Sequence, residues 1–326
     1  MYNLLPFEQI KRSILVKKEA ETEEKYGCNP NERKTEELVQ YGVVNIDKPK
    51  GPTSHQVSDY VQKILSIEKS GHSGTLDPAV TGVLPVALQR ATRVVEYLLT
   101  AGKEYVAIMH LHKEVDEKTL RETIKKEFLG KIKQLPPIKS SVKRQLRTRS
   151  IYYLDILEIN GQDVLFKVGT EAGTYIRKLI HDIGLSLDCG AHMAELRRTK
   201  AGPFDESTLV TMQELTDAYH YWKEGNDKLI RKIVQPMENA VNHLPKIWVF
   251  DTTIESMCHG VDLKVPGISK LNDKILKDDN VAIMSLKNEL VAIGKAQISS
   301  EAMMNLKGVA VKTEKVFMLP GTYKIV

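Results

Sequence analysis

The sequence predicts an α+β fold in two unequal parts, on three observations. Strand and helix patterns alternate up to about residue 245, with a hairpin signal at Asn160-Gly161. That pattern breaks from Gln235-Pro236 to His243-Leu244-Pro245. Beyond Ile247 short strands dominate and Gly260, Gly267, Gly294 and Gly308 mark turns, as in a small mostly-β barrel or sandwich. We therefore expect an N-terminal arm over 1–40, a larger domain over 41–245 and a smaller one over 246–326. A length of 326 residues is enough for about two domains with real cores. Hydrophobic residues at 42% and charged residues at 27% are ordinary for a globular chain.

Residues 1–40 alternate charges with little periodicity, so this arm is expected to pack on another part of the chain or to be partly mobile. Val43 to Ile46 reads as a strand, ended by Asp47-Lys48-Pro49-Lys50-Gly51-Pro52. A helix follows, capped by Thr53 or Ser54, with Val57, Tyr60, Val61, Ile64 and Leu65 at helical spacing. Val83 to Leu88 reads as a buried strand despite Pro85. A short helix through Val94 to Leu98 precedes an alternating strand from Lys103 to His112. Asp116 to Phe128 reads as an amphipathic helix ended by Gly130. Ser150 to Ile159 and Val164 to Val168 are the arms of the hairpin, and Thr174 to Ile183 is helical. Met193 to Leu196 is extended, and further helices are expected near 208–218 and 227–234. In the last part the strands are expected at Val281–Leu286, Val291–Ala296, Val309–Lys312 and Val316–Leu319.

The residues with chemical potential are unevenly placed. From Gly71 to Leu88 one acid, Asp77, lies between a run with two glycines and an apolar strand. Pro78 restrains the chain beside it. A carboxylate held on such a loop beside His72 suits catalysis, while the plainer reading makes Asp77 the cap of a short helix with Pro78 at its first position. Cys28, Cys189 and Cys258 are odd in number and show no CxxC, so neither disulfides nor a thiolate zinc site is expected. His110 and His112 share a strand without an obvious third ligand, and no metal is expected. Net charge is +5, but residues 131–150 hold seven bases and no acid. Five of them, Lys139, Lys143, Arg144, Arg147 and Arg149, follow Pro136-Pro137 closely and suit contact with nucleic-acid phosphates better than a plain solvated loop. No apolar run approaches the ~18 residues of a membrane span, and the N-terminus lacks the apolar stretch of a signal peptide, so a cytoplasmic protein is expected.

Five motifs fall in one order. They are Gly42-Val43-Val44-Asn45-Ile46-Asp47-Lys48-Pro49 with Gly51-Pro52-Thr53-Ser54-His55, then Gly71 to Pro78 with Gly82-Val83-Leu84-Pro85, then Gly102-Lys103-Glu104-Tyr105. Gly173-Thr174-Tyr175-Ile176-Arg177 with Leu179 to Gly184, and Gly190 to Thr199, complete the set. In these residues the chain resembles the TruB/dyskerin family of pseudouridine synthases, particularly the archaeal catalytic subunit of H/ACA guide-RNA particles. His259 to Ile268 resembles the RNA-binding PUA domain of the dyskerin branch, with Val261 where alanine is usual and Lys264 where a small residue is common. No lysine-rich tail follows, as in archaeal members.

The resemblance implies a mixed, mainly antiparallel catalytic sheet with flanking helices, followed by a PUA barrel. It implies that Asp77 is the essential acid, that Arg177 pairs with it, and that Tyr105 stacks on the target base and assists removal of the C5 proton. His72, Tyr175, Ile176 and Leu196 would shape the substrate pocket. Lys48 would support the loop, a role its position does not separate from simply ending a turn. Without the resemblance, Tyr105 reads better as a core-facing strand residue. Arg197 and Arg198 would extend the RNA track of the 131–150 segment, and His259, Gly260, Pro266 and Gly267 would touch RNA on the PUA side. The implied partners are an H/ACA guide RNA, a substrate rRNA or tRNA, a small zinc-binding protein, a small β-barrel protein and a kink-turn-binding protein of ribosomal type. The reaction is an isomerisation, so no cofactor is expected, and no membrane is involved. Two other readings compete: a guide-independent tRNA pseudouridine synthase, and a non-catalytic RNA scaffold. A glycosidase would need a second catalytic carboxylate, and the sequence offers Asp77 no convincing partner of that kind.

Overall fold

The computed structural model describes residues 3–136 and 144–324. In chain order the strands are β1 (Ile14–Val16), β2 (Gly42–Lys48), β3 (Ser70–His72), β4 (Thr81–Leu88), β5 (Lys103–Leu111) and β6 (Gly130–Gln134). They continue as β7 (Arg147–Asn160), β8 (Asp163–Thr170), β9 (Ala191–Ala201), β10 (Phe204–Asp205) and β11 (Gln235–Pro236). Then follow β12 (Lys246–Val249), β13 (Leu263–Lys264), β14 (Ile268–Asn272), β15 (Asn280–Met284), β16 (Leu290–Ala296) and β17 (Val309–Val316). The large sheet runs β11-β2-β4-β9-β5-β8-β7-β6, with β3 added to β4 and β10 to β9. The second sheet runs β1-β14-β12-β15-β16-β17-β13. Among the described strands each sheet has one parallel pair, β4 with β9 and β12 with β15, and is otherwise antiparallel.

The large sheet is covered on both faces near its centre, which is why β2 and β4 read as continuous apolar runs. Val44, Ile46, Leu84, Val86 and Leu88 pack against the helix Ser54–Ile64 and the helices Met212–Lys223 and Lys228–Ile233. Their neighbours Val43, Val83 and Ala87 point the other way, into a core shared with Trp248, Ala282 and Met284 of the second sheet and with Phe317, just after β17. A third core joins Ala107, Met109, Val164, Phe166 and Val168 to Leu179, Ile180 and Ile183 of the helix Ile176–Ser186.

Local rules explain several boundaries. Thr53 caps its helix by accepting from the Gln56 N–H at 3.1 Å, and Gln56 bonds back to Thr53. Gly161 has φ +58°, which lets a two-residue loop close β7 on β8. Pro85 is tolerated inside β4 because its carbonyl side faces Ser73. On that side β4 changes neighbour, from β9 at Thr81–Gly82 to β3 at Val86–Leu88, so the missing N–H interrupts no ladder.

Three expectations are corrected. The helix read over 116–128 is α-helical over Glu117–Thr123 and then widens into one π-helical turn, Ile124–Phe128. Val309–Lys312 and Val316–Leu319 are not two strands. Thr313 and Lys315 pair with Gly294 and Ile293, so a single β17 carries through the charged stretch. Asp77 caps no helix; its carbonyl accepts from Val80 N–H at 2.9 Å in a turn.

The N-terminal segment runs along both halves. β1 pairs with β14, and Lys17 donates to the carbonyls of Met303 and Met304. Glu8 pairs with Lys200 of β9, while Arg33 makes a buried two-pronged ion pair with Glu238, at 2.9 and 2.8 Å. Among the described residues no helix is long and apolar enough to cross a membrane.

Candidate active site

The loop from Ser73 to Val80 joins β3 to β4 and is held from below. Lys48, at the end of β2, is fully buried and donates to the carbonyls of Pro49, Pro78 and Val80 at 2.9, 3.3 and 2.8 Å. Burial lowers its ammonium pKa and the nearby Asp77 charge opposes that shift. The Ser54 hydroxyl accepts from Leu76 N–H at 2.8 Å, and Gly51 N–H donates to Pro78 at 2.8 Å. Leu76 and Val80 are buried. Gly74, at φ +126°, takes a backbone angle that a side chain would strain. What remains at the top is the Asp77 carboxylate.

Arg177 lies in the first turn of the helix Ile176–Ser186 and donates from Nη2 to Asp77 Oδ2 at 2.8 Å. Both side chains are more than half exposed. The helix start is itself clasped by a residue the sequence did not single out. The buried Gln134 accepts from Tyr175 N–H at 3.0 Å and donates to the Tyr175 carbonyl at 3.2 Å. Its only signal was a polar residue where strand β6 should face the core.

Tyr105, on β5, stands opposite Arg198 of β9. Tyr105 and Leu196 are half-buried and pack against the core that contains the buried Ile176. His72, at the end of β3, has its ring edge-on to His55, with centroids 4.6 Å apart. Its Nδ1 accepts from Gly74 N–H at 3.4 Å. Burial, then His55 and Arg198, pushes the His72 pKa down to about 4, so it is neutral near pH 7. His55 belongs to the first motif, but the sequence did not assign it to this place.

The basic residues divide. Lys139 and Lys143 lie outside the described residues. Arg144 is exposed. Arg147 and Arg149 are half-buried, and Arg149 lies 3.5 Å from Glu171. Arg197 is held between Asp47, at 2.9 and 3.1 Å, and Glu206, at 2.6 Å, so its charge is already matched within the chain. Arg198 is a correction. It is 1% exposed, donates to the carbonyls of Val83 at 2.7 Å and Gly74 at 3.3 Å, and cannot lie on an exposed RNA track. Side chains alternate along a strand, so two adjacent arginines on β9 cannot share a face. Of the two readings of Lys48, its burial and its bonds to Pro78 and Val80 place it beneath the loop, away from the open side of the site.

In the second sheet's half, His259 and Gly260 are exposed after the helix Asp251–Cys258, and His259 lies 3.2 Å from Glu255. Pro266 is exposed and Gly267 half-buried beside Thr253, whose side chain leaves no room for a Cβ. The third histidine that the sequence did not connect to His110 and His112 comes from β9. His192 Nδ1 is 3.0 Å from His112 Nε2, a hydrogen-bonded pair. Among the described residues no group of three His, Cys, Asp or Glu could hold a metal ion.

Comparison with known proteins bears on the whole chain. Residues 62–176 match the N-terminal domain of TruB family pseudouridylate synthases, and 177–242 match the tRNA pseudouridylate synthase B C-terminal domain. Residues 4–58 match the DKCLD (NUC011) domain and 245–317 the PUA domain. A Pyrococcus abyssi protein named probable tRNA pseudouridine synthase B is 61% identical over 95% of this chain and 93% of its own. One of the same name from Methanopyrus kandleri is 53% identical over 98% and 94%. Among solved structures, a chain of a Cbf5–Nop10–Gar1 complex superposes with a TM-score of 0.94 at 55% identity, covering 99% of both chains. A chain of an H/ACA ribonucleoprotein bound to a substrate RNA containing 2'-deoxyuridine gives 0.92 at 55% identity, covering 98% of both. This chain is a pseudouridine synthase and belongs to the TruB/dyskerin family.

Proposed function

We propose that this synthase is the catalytic subunit of an H/ACA guide-RNA particle, isomerising chosen uridines of rRNA, and also of tRNA, with Asp77 as the catalytic nucleophile. The observation that carries the reading is the Asp77–Arg177 pair at 2.8 Å, open to solvent, with Arg177 following Ile176 of the core on which Tyr105 and Leu196 pack. The reaction breaks the N1–C1′ bond, turns the base, joins C1′ to C5 and moves the C5 proton to N1. Nothing is oxidised or reduced, so the chemistry requires no redox cofactor. A carboxylate at Asp77 attacks carbon or offsets positive charge at C1′ as the base departs. Arg177 gives that carboxylate a charge-assisted hydrogen bond that fixes its place once RNA displaces water. Tyr105 offers a ring face for stacking and a polar tip. A uridine in structured RNA reaches these groups only when flipped out, at a cost of a few kcal/mol.

In this reading residues 41–245 carry the chemistry, 246–326 hold the guide RNA through His259, Gly260, Pro266 and Gly267, and the arm over 1–40 packs on the C-terminal domain. Arg144, Arg147 and Arg149, with Lys139 and Lys143, hold substrate RNA. Guide pairing reads sequence while protein reads shape. Solved complexes of similar chains contain Nop10 and Gar1. On that basis a small zinc-binding protein and a small β-barrel protein are assigned as partners, with a kink-turn-binding protein on the guide. The cytoplasm is the assigned compartment.

The name of the curated relatives favours a second reading, a guide-independent synthase acting on tRNA. One experiment separates the two. The protein is incubated with rRNA and tRNA targets, with and without guide and partner proteins, and pseudouridine is mapped. Modification of rRNA only when the guide is present supports the first reading. Equal modification of tRNA without it supports the second.

A further inference from the structure

Arg198 is a buried cation whose described hydrogen bonds end on neutral groups. It is 1% exposed, donates from Nε to Val83 and from Nη2 to Gly74, and stands directly opposite Tyr105 in the strand register. A guanidinium is costly to take from water, and it is ordinarily repaid by a carboxylate. Here each acceptor is neutral, and burial lowers the Arg198 pKa accordingly.

Its neighbourhood is rigid. Tyr105 and Arg198 face each other in the β5–β9 register, next to an irregularity between Glu104 and Tyr105. β4 presses against β9 so closely that a Cβ on Gly82 would lie 2.2 Å from the Arg198 carbonyl. The two acceptors and Tyr105 belong to three elements: the loop that carries Asp77, strand β4 that anchors it, and strand β5. A planar fork can span them, whereas the point charge of a lysine cannot.

We propose that Arg198 is a positioning residue for the isomerisation: pinned to Gly74 and Val83 and standing opposite Tyr105, it sets the place of the Tyr105 phenol oxygen relative to the Asp77 carboxylate. A guanidinium only donates. A neutral phenol takes up the C5 hydrogen only as it gives its own hydroxyl hydrogen to water, so its oxygen needs a defined position, and small misplacement of such a group slows a reaction steeply. The inference rests on the reading that Tyr105 contacts the target base.

The test is a double-mutant cycle in the full chain with guide and partner proteins, following tritium release from RNA labelled at C5 of the target uridine in single turnover. Arg198→Lys, Tyr105→Phe and the double variant are compared with the parent. Arg198→Lys is expected to slow turnover about ten- to hundredfold with RNA affinity unchanged, and to change the rate less than about threefold when Tyr105 is already Phe. The same loss in both backgrounds overturns the role of Arg198 while leaving that of Tyr105 standing. Full activity of Tyr105→Phe overturns both. A second measurement needs no change at Arg198: the side-chain nitrogen resonances of Arg198 in labelled protein should shift in Tyr105→Phe. If they stay in place, the proposal fails whatever the kinetics of the Lys variant.

Discussion

Arg177 reaches Asp77 at 2.8 Å although the two side chains are 59% and 57% exposed and 100 positions apart in sequence. An exposed pair of this kind contributes only about 0–1 kcal/mol to stability. On the proposed function its value lies in holding the carboxylate ready. Asp77→Asn should therefore abolish pseudouridine formation, by about 10³-fold or more, with the thermal midpoint almost unmoved and RNA binding kept. Arg177→Ala should slow turnover about ten- to hundredfold, and Arg177→Lys should recover part of that. Activity at parental level in Asp77→Asn would remove Asp77 from the chemistry.

Lys48 is expected to matter for a different reason. Its ammonium serves three carbonyls beneath the loop. Lys48→Met takes this donor from the buried Val80 carbonyl and from Pro49, while Pro78 keeps Gly51 N–H, at about 1–3 kcal/mol for a buried group left unpaired, reduced by whatever relaxation lets water in. Chemical denaturation should show a loss of about 2–4 kcal/mol together with reduced turnover. A variant that is stable but inactive would show that Lys48 acts on substrate directly.

Arg33→Ala should destabilise by about 3–5 kcal/mol, because it leaves Glu238 charged in a dry site. Glu238 also accepts from Leu290 N–H at 3.0 Å, so this one pair ties the N-terminal segment to the joint between the two sheets. Replacing both partners with apolar residues should recover much of the loss. Denaturation midpoints of the single and double variants provide the check.

His72 and His243 give stability a pH dependence of known sign. Burial pushes both down to about 4 from the ordinary 6.5. Between pH 4 and 6.5 the unfolded chain then binds more protons than the folded one at these two positions. Their contribution is present in full above the upper value and fades as pH falls toward the lower one. Urea midpoints should drop between pH 6.5 and 4.5. His243→Gln, whose side chain does not titrate, should flatten part of that drop. An unchanged slope in this variant would mean that His243 does not contribute.

Sequence and tertiary structure supplied different things. The β2 and β4 strands, the capped helix after Thr53, the Asn160-Gly161 hairpin and the barrel-like second part were legible, because periodicity and turn chemistry act over a few residues. The motif order pointed to the family before any contact was known. The short-range signal at Asp77-Pro78 was ambiguous between cap and loop, and it was settled by Lys48, Ser54 and Gly51, which hold the loop from another part of the chain. The π-helical turn at Ile124–Phe128 and the uninterrupted β17 also follow from packing and pairing with distant residues.

Charge was the least legible property. Arg177, Arg197 and Arg198 are the same residue type in recognisable motifs, yet one is exposed on Asp77, one lies between Asp47 and Glu206, and one is buried under Tyr105 and the loop. By itself the sequence determined which segments form strands and helices and which family motifs they carry. Only the tertiary structure decided which cations meet solvent, which meet carboxylates and which meet carbonyls, because desolvation and hydrogen-bond geometry depend on neighbours that the chain brings together only by folding.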